Sequence, residues 1–190
     1  VASWGIAAGS VTGLAMQSTS GRRPVYAAND GGYPSLTWSN TNKSSLLLGH
    51  SASWVTTALS WLAVVKHPNT NSATPRHFWG RSASWNEAGA WFTAHNAAPS
   101  ATPTSDIYSH SGYLSRGISI PRQSSGWFVI ACTIDATELR MYGNRQSAVR
   151  IAQSGTLSMG TSSLAIGADA DNTIYSFDGS MREIAFWNTA

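Results

Sequence analysis

The feature of this sequence that most limits its fold is the near absence of helical periodicity. In no window as long as an ordinary helix do apolar side chains recur on one helical face with good helix formers between them. Short runs of β-branched and aromatic residues recur instead, separated by Gly, Asn, Ser and Pro. That is the pattern of strands joined by turns, so the sequence predicts an all-β protein.

The clearest predicted strands lie in the middle of the chain. Residues 58–66 form a nearly continuous apolar run that stops before Pro68, which cannot donate to a strand ladder. Residues 126–135 are apolar on both faces, which is typical of a strand in the middle of a sheet. A further strand over 139–142 follows, with Gly143-Asn144 as a tight turn after it. The order predicts an antiparallel meander.

The end of the chain repeats this pattern. Residues 163–168 form a short predicted strand, and Asp178-Gly179 is a turn signal before the last strand. Strict alternation in that strand places Met181, Glu183, Ala185 and Trp187 on one face and Arg182, Ile184 and Phe186 on the other. Ile184 and Phe186 can face the core while Arg182 stays out of it.

Composition limits the domain organisation and the function classes. The 190 residues suit one large domain over 1–190, which could be a module of a longer chain, with a surface loop predicted at 96–105. The lone Cys132 excludes an internal disulfide. The net charge is +3 with no basic run beyond Arg22-Arg23, which argues against nucleic-acid binding. No apolar run is long enough to span a membrane as a helix, so no membrane insertion is expected.

Three segments, which together cover nearly the whole chain, carry short motifs in a fixed order. In the first, Pro24-Val25-Tyr26 precedes Asn29-Asp30-Gly31-Gly32-Tyr33-Pro34 and an apolar strand. The second is residues 59–66. In the third, Leu164-Ala165-Ile166-Gly167 precedes Phe177-Asp178-Gly179 and the final strand.

This order resembles the concanavalin A-like lectin and glucanase superfamily in its laminin-G-like branch, in the version found in bacterial and phage surface or virion proteins. The resemblance implies an antiparallel β-sandwich, or jelly roll. It does not imply one function, because that superfamily holds lectins, receptor-binding domains, glycan-cleaving enzymes and adhesion modules.

No catalytic constellation is visible in the sequence. Retaining glycosidases need two carboxylates about 5–5.5 Å apart, yet Glu87 and Glu138 each stand alone and Asp169 and Asp171 have no third carboxylate nearby. No Gly-x-Ser-x-Gly nucleophile motif is present. We therefore expect a protein that is not an enzyme.

Metal ligands are sparse, and no other cofactor is expected. The histidines have no pair at zinc-ligand spacing. Some members of the resembling superfamily bind Ca²⁺ through loop oxygens, and Asp169, Asp171 and Asn172 could supply such oxygens. The alternative is a solvated turn in which these side chains bond their own backbone.

The sequence holds nine tryptophans, which could fill a core or stack on sugars. Those in strands or at family core positions are predicted to be buried: Trp38, Trp61, Trp127 and Trp187. Residues 76–95 combine aromatic and polar side chains in a loop setting. The predicted ligand contacts are Trp79, Arg81, Trp85, Asn86, Trp91 and His95. The alternative is that these tryptophans also fill the core.

Two functions from different classes remain open. The first is a non-catalytic glycan- or receptor-binding module of a virion or cell-surface protein, located on the virion or outside the cell. The second is a structural decoration, fibre or tail module that acts through contacts with other subunits, since Arg, Trp and Tyr are enriched at interfaces. A glycan-cleaving enzyme is a third and weaker alternative.

Overall fold

The computed structural model describes residues 3–5, 14–39, 41–48, 58–66, 77–80, 92–95, 104–111, 114–121, 126–143, 149–152, 163–168 and 176–187. Its strands are β1 (Ser3–Gly5), β2 (Leu14–Met16), β3 (Val25–Ala27), β4 (Ser35–Trp38), β5 (Leu46–Leu48), β6 (Leu59–Lys66), β7 (Trp79–Gly80), β8 (Phe92–His95), β9 (Thr104–Ser111), β10 (Leu114–Pro121), β11 (Phe128–Ile134), β12 (Glu138–Gly143), β13 (Val149–Ala152), β14 (Leu164–Ile166) and β15 (Gly179–Trp187). One 3-10 helix, Ser20–Arg22, precedes β3. For β1, β8, β9 and β10 only the backbone is described.

The strands form a β-sandwich of two main sheets. The seven-stranded sheet has the order β13-β12-β11-β6-β15-β4-β3, and the five-stranded sheet has the order β1-β2-β5-β14-β7. A separate three-stranded sheet has the order β10-β9-β8. Each ladder between these strands is antiparallel, while His77 and Ser176 form an isolated parallel bridge. The predicted all-β antiparallel sandwich is confirmed.

One hydrophobic core joins the facing sides of the two main sheets. In β6, Leu59, Trp61, Ala63 and Val65 are buried while the alternate residues are half-buried, which is the period of a strand with one core face. The indole rings of Trp61 and Trp79 meet edge to face across the sandwich, with centroids 6.2 Å apart. Trp38 packs in the same way on Phe177, at 6.3 Å.

The predicted meander is present as β11, β12 and β13. A short turn joins β11 to β12, in which the Asp135 carboxylate accepts hydrogen bonds from the backbone and hydroxyl of Thr137 and from the backbone of Glu138. This carboxylate accepts from backbone N–H groups of the turn and so takes the place of a backbone carbonyl. Of the predicted loop over 96–105, residues 104 and 105 belong to β9 instead, and residues 96–103 lie outside the described ranges.

A β-bulge in β15 corrects the predicted faces of the last strand. Met181 pairs with Val65, but Glu183, not Arg182, pairs with Val64, so Arg182 is the extra residue. A bulge shifts the alternation by one position. Met181 therefore shares the core-facing side with Ile184 and Phe186. Arg182 has no pairing partner in β6, and it is not part of the hydrophobic core. The prediction that Met181 lies on the face of Glu183 was wrong.

The tryptophans predicted to be buried divide into two groups. Trp38 and Trp61 are buried in the core, as expected. Trp187 is 50% exposed, because it lies opposite Ser60 on the outer face of the seven-stranded sheet. Trp127 is half-buried and precedes β11. The prediction of a core position is therefore wrong for Trp187 and only partly met for Trp127.

Candidate functional site

The richest group of interacting polar and aromatic side chains in the described ranges lies at one end of the seven-stranded sheet. We name it the aromatic–arginine cluster and define it by Asp30, Tyr33, Lys66, Trp127 and Arg182. Its members come from four separate segments of the chain, so only the fold brings them together.

The topology explains this meeting point. Lys66 ends β6, and Trp127 lies just before β11, whose first residue pairs with Val65. Ser180, near the start of β15, pairs with both Lys66 and Thr37. The end of β6, the start of β15 and the residue before β11 therefore lie together, and Asp30 from the turn between β3 and β4 contacts Lys66 and Arg182 there.

The turn between β3 and β4 carries Tyr33 outward. The backbone N–H of Asp30 donates to the carbonyl of Tyr33 at 2.8 Å, and the N–H of Gly32 donates to Asn29 Oδ1 at 2.7 Å. Gly31 and Gly32 have φ angles of +69° and +91°, which L side chains rarely adopt. The two glycines make this tight turn and leave Tyr33 with 64% of its surface exposed.

An ion pair fixes Asp30 in the cluster. Lys66 Nζ lies 2.9 Å from Asp30 Oδ1, and the Ser35 hydroxyl donates to Asp30 Oδ2 at 3.4 Å. The hydrogen bond from Lys66 is the main cause that lowers the pKa of the Asp30 carboxyl, against a smaller opposing effect of desolvation. Asp30 is therefore ionised near neutral pH and neutralises one of the two cations.

Arg182 is the centre of the cluster. Its guanidinium carbon lies 3.8 Å from the ring centroid of Trp127 and 4.9 Å from that of Tyr33, within cation–π range of both. Its Nη2 donates to the backbone carbonyls of Asp30 and Gly31. Its Nε is buried and has no hydrogen-bond partner among the residues that the structure describes. Lys66 Nζ is 5.9 Å from the same Trp127 ring.

This arrangement suits binding better than bond cleavage. Within the cluster Asp30 is the sole carboxylate, whereas glycoside hydrolysis uses a carboxylate pair. An exposed aromatic ring and a cation with free donors are the groups that hold a polar ligand in place. The cluster can therefore present a ring to stack against and hydrogen-bond donors to orient what stacks there.

The residues predicted to bind a ligand do not belong to this cluster. Trp79 is fully buried, with its ring centroid 5.0 Å from that of Phe186 and 6.2 Å from that of Trp61. A side chain without exposed surface cannot stack on a sugar, so its assignment as a ligand contact is corrected to core packing. His95 ends β8, where it pairs with Asp106, and its side chain is not described. The others lie outside the described ranges: Arg81, Trp85, Asn86 and Trp91.

The predicted calcium loop cannot be placed either. Asp169, Asp171 and Asn172 all lie outside the described residues. Within the ranges that the structure describes, no group of three or more His, Cys, Asp or Glu side chains could hold a metal ion. In the same ranges, no helix is both long enough and apolar enough to cross a membrane.

Sequence reasoning did not identify Tyr33, Trp127 and Arg182 as a group. Tyr33 and Arg182 are far apart in the chain, and no local motif joins them. The one local signal is the Asn29-Asp30-Gly31-Gly32 turn directly before Tyr33, since a tight turn places the next side chain at the surface.

Comparison with known proteins identifies the fold. No protein-family model matches the chain, and no curated protein matches it. Solved structures do match. Tailspike protein 2 of bacteriophage CBA120 matches with a TM-score of 0.64 and 17% identity, over 88% of this chain and 27% of the tailspike domain.

Two further structures that match are glycan complexes. Domain 4 of AbnA, an extracellular arabinanase of Geobacillus stearothermophilus, was solved with arabinotriose (TM-score 0.60, 14% identity, 88% of this chain and 76% of that domain). The CBM40 of a Ruminococcus gnavus sialidase was solved with α2,3 sialyllactose (TM-score 0.55, 9% identity, 73% of this chain and 79% of that one). At these identities the likeness shows the fold alone, a β-sandwich.

Proposed function

We propose that this chain is a non-catalytic glycan-binding β-sandwich module, of the laminin-G-like type over 1–190, that works on a virion or outside the cell. The observation that carries the proposal is the aromatic–arginine cluster, in which an exposed Tyr33 stands beside a stacked Arg182. The arabinotriose and sialyllactose complexes of the similar domains support a glycan as ligand. The phage tailspike supports the location.

The physical basis is the division of work within the cluster. One side of the Tyr33 ring faces the Arg182 guanidinium, and most of the ring's surface is still open to solvent. A sugar ring buries apolar C–H surface on such a face, while its hydroxyls need donors and acceptors at the rim. Arg182 and Lys66 supply donors there, and Asp30 supplies acceptor oxygens.

The test is a glycan array followed by calorimetry on any sugar that binds. Tyr33→Ala should weaken binding about tenfold or more, the loss expected for an aromatic contact at the centre of a binding site. Tyr26→Ala is the matched control, because Tyr26 is 56% exposed on β3 and makes no ring contact with Arg182. Equal effects of the two substitutions would contradict the assignment of the site.

The segment over 81–95 is a second proposed contact region. Trp85→Ala in the same assay tests this segment separately from the cluster. If Trp85→Ala loses glycan binding while Tyr33→Ala binds normally, the binding site lies at Trp85 and not at the cluster. Arg81, Asn86, Trp91 and His95 would then be the neighbours to substitute. Release of new reducing ends from a bound polysaccharide would overturn the non-catalytic part of the proposal.

A second candidate function is that of a structural module built from copies of this chain. The observation that favours it is the outer face of the seven-stranded sheet, where Val129, Tyr142 and Trp187 are exposed. Strand register places five residues in one row across this face: Arg150, Arg140, Thr133, Ser60 and Trp187.

This row is self-complementary. Two copies related by a two-fold axis parallel to β11 would set Arg150 of each copy over Trp187 of the other, a cation–π contact made twice. Light scattering over a range of concentrations tests the idea. A dimer that Trp187→Ala and Arg150→Glu both weaken would support it, and a monomer at every concentration would refute it.

A further inference from the structure

The charges in the aromatic–arginine cluster do not balance. Lys66 and Arg182 are cations, and Asp30 carries the one carboxylate of the cluster. Lys66 pairs with that carboxylate, whereas Arg182 donates to the backbone carbonyl of Asp30. The cluster thus carries about one unit of excess positive charge near neutral pH, since the lowered pKa of Asp30 keeps it ionised. A partly buried excess charge raises the local affinity for anions.

Arg182 also has donors that the protein does not use. Nη2 donates to the carbonyls of Asp30 and Gly31, but no described residue accepts from Nη1 or from the buried Nε. A buried polar group without a partner in a native structure calls for a water or a bound group that supplies one. The stacking on Trp127 and Tyr33 holds the guanidinium plane in place, so these donors have a fixed direction.

The bulge in β15 gives a reason for an arginine at this place. Arg182 is the extra residue of the bulge and is therefore left out of the pairing between β15 and β6. Its side chain stacks on Trp127, the residue before β11. A guanidinium held in place with free N–H groups on Nη1 matches a carboxylate oxygen, with which it can make a charge-assisted hydrogen bond.

We propose that the aromatic–arginine cluster binds an acidic sugar residue, with Arg182 contacting its carboxylate and Tyr33 stacking on its ring. This inference rests on the proposed glycan-binding function and adds the ligand class. Neutral sugars bind more weakly at this site, because they leave the excess charge of Lys66 and Arg182 uncompensated.

The experiment compares three sugars of one shape and different charge: trigalacturonic acid, its methyl ester and galactotriose. We expect the acid to bind about tenfold or more tightly than the ester, the difference expected for one charge-assisted hydrogen bond. The preference should shrink when salt is raised from about 50 mM to about 500 mM, since ions screen a partly exposed charge pair. A sulfated galactotriose tells whether the charge alone suffices or the carboxylate is required.

Three variants identify the residue responsible: two remove one positive charge each, and one keeps the charge but changes the shape of the side chain. Arg182→Gln should remove the preference for the acid, and Arg182→Lys should restore only part of it because lysine lacks the planar guanidinium that stacks on Trp127 and Tyr33. Lys43→Gln is the matched control. It removes one positive charge from the exposed turn between β4 and β5, outside the cluster, and should leave the preference unchanged.

The possible outcomes separate the two proposals. Equal binding of acid and ester, with both lost in Tyr33→Ala, would overturn the acidic-sugar inference and leave glycan binding in place. Failure of every sugar in the array and in this series would overturn both. If Arg182→Gln does not fold, Lys66→Gln, which brings the cluster to neutrality, should reduce the acid-to-ester ratio, and an unchanged ratio would refute the inference.

Discussion

Gly167, directly after β14, should be the least replaceable glycine of the described core. It has a φ of +78°, its N–H donates to Phe78 O at 2.7 Å, and its carbonyl accepts from Phe177 N–H at 2.7 Å. A Cβ built there would lie 2.9 Å from Trp38 Cε2 and still closer to Cδ1 and Nε1. Trp38 is buried and packs on Phe177, so its ring has little room to move.

The cost of Gly167→Ala has two parts. Placing an L residue in the left-handed region costs about 1–2 kcal/mol. Forcing extra volume into a packed core costs about 1–3 kcal/mol. The free energy of unfolding should therefore fall by about 2–5 kcal/mol, which corresponds to roughly 4–20 °C in melting temperature for a chain of this size. Even a loss of about 2 kcal/mol is a large share of the roughly 5–15 kcal/mol by which a typical domain is stable.

Two other glycines separate these two parts. Gly32 has a φ of +91° but no atom within 4 Å of a built Cβ, so Gly32→Ala carries only the backbone cost. Gly21 has neither constraint, and Gly21→Ala should be neutral or stabilise by about 0.4–1 kcal/mol. Urea unfolding followed by tryptophan fluorescence and circular dichroism gives all three values. If Gly167→Ala costs no more than Gly32→Ala, the steric argument is wrong.

Two further predictions concern ionisable groups. Asp30→Asn should destabilise the protein near neutral pH, because the Lys66 hydrogen bond lowers the pKa of Asp30 in the folded state. Such a carboxylate stabilises the fold fully above its unfolded-state pKa of about 4, and this contribution is lost as the pH falls through the lower folded-state pKa. Urea unfolding of both proteins at about pH 6.5 and about pH 3 should show the gap narrowing in acid, and a gap independent of pH would count against this ion pair. Burial raises the pKa of the Cys132 thiol to about 12, so a thiol reagent at mildly alkaline pH should label it only as fast as the protein unfolds. Rapid labelling of the folded protein would show that β11 opens locally.

The strands that the sequence predicts well are those with a strong local signal. Residues 58–66 and 126–135 are long apolar runs with turn residues at their ends, and β6 and β11 follow them within a residue or two. The order of motifs also predicts the sandwich. The unpredicted features depend on pairing partners: one residue more in β15 than in β6 shifts the faces, and nothing in the sequence around Arg182 marks that shift.

The same reason explains why the site was only partly predictable. A tryptophan in a polar segment is expected at the surface. Trp79 instead lies in β7, where it pairs with Ile166, and Phe186 of the other sheet covers its ring. Conversely, Trp187 continues an apolar strand but lies on the outer face, opposite Ser60. Contacts between residues as distant along the chain as Tyr33 and Arg182 are decided by the sheet order, which local patterns do not contain.

The bulge in β15 also affects how this protein should be compared with others of the same fold. Arg182 occupies a position that exists only because the strand holds one residue more than its neighbour. A homologous strand without that extra residue would have no counterpart of Arg182, whatever its amino acids, so the arginine is gained or lost by insertion or deletion and not by substitution. An alignment that forbids a gap here would put β15 out of register with the homologous strand on one side of Arg182, and grafting the aromatic–arginine cluster onto another sandwich would require transferring the extra residue with it.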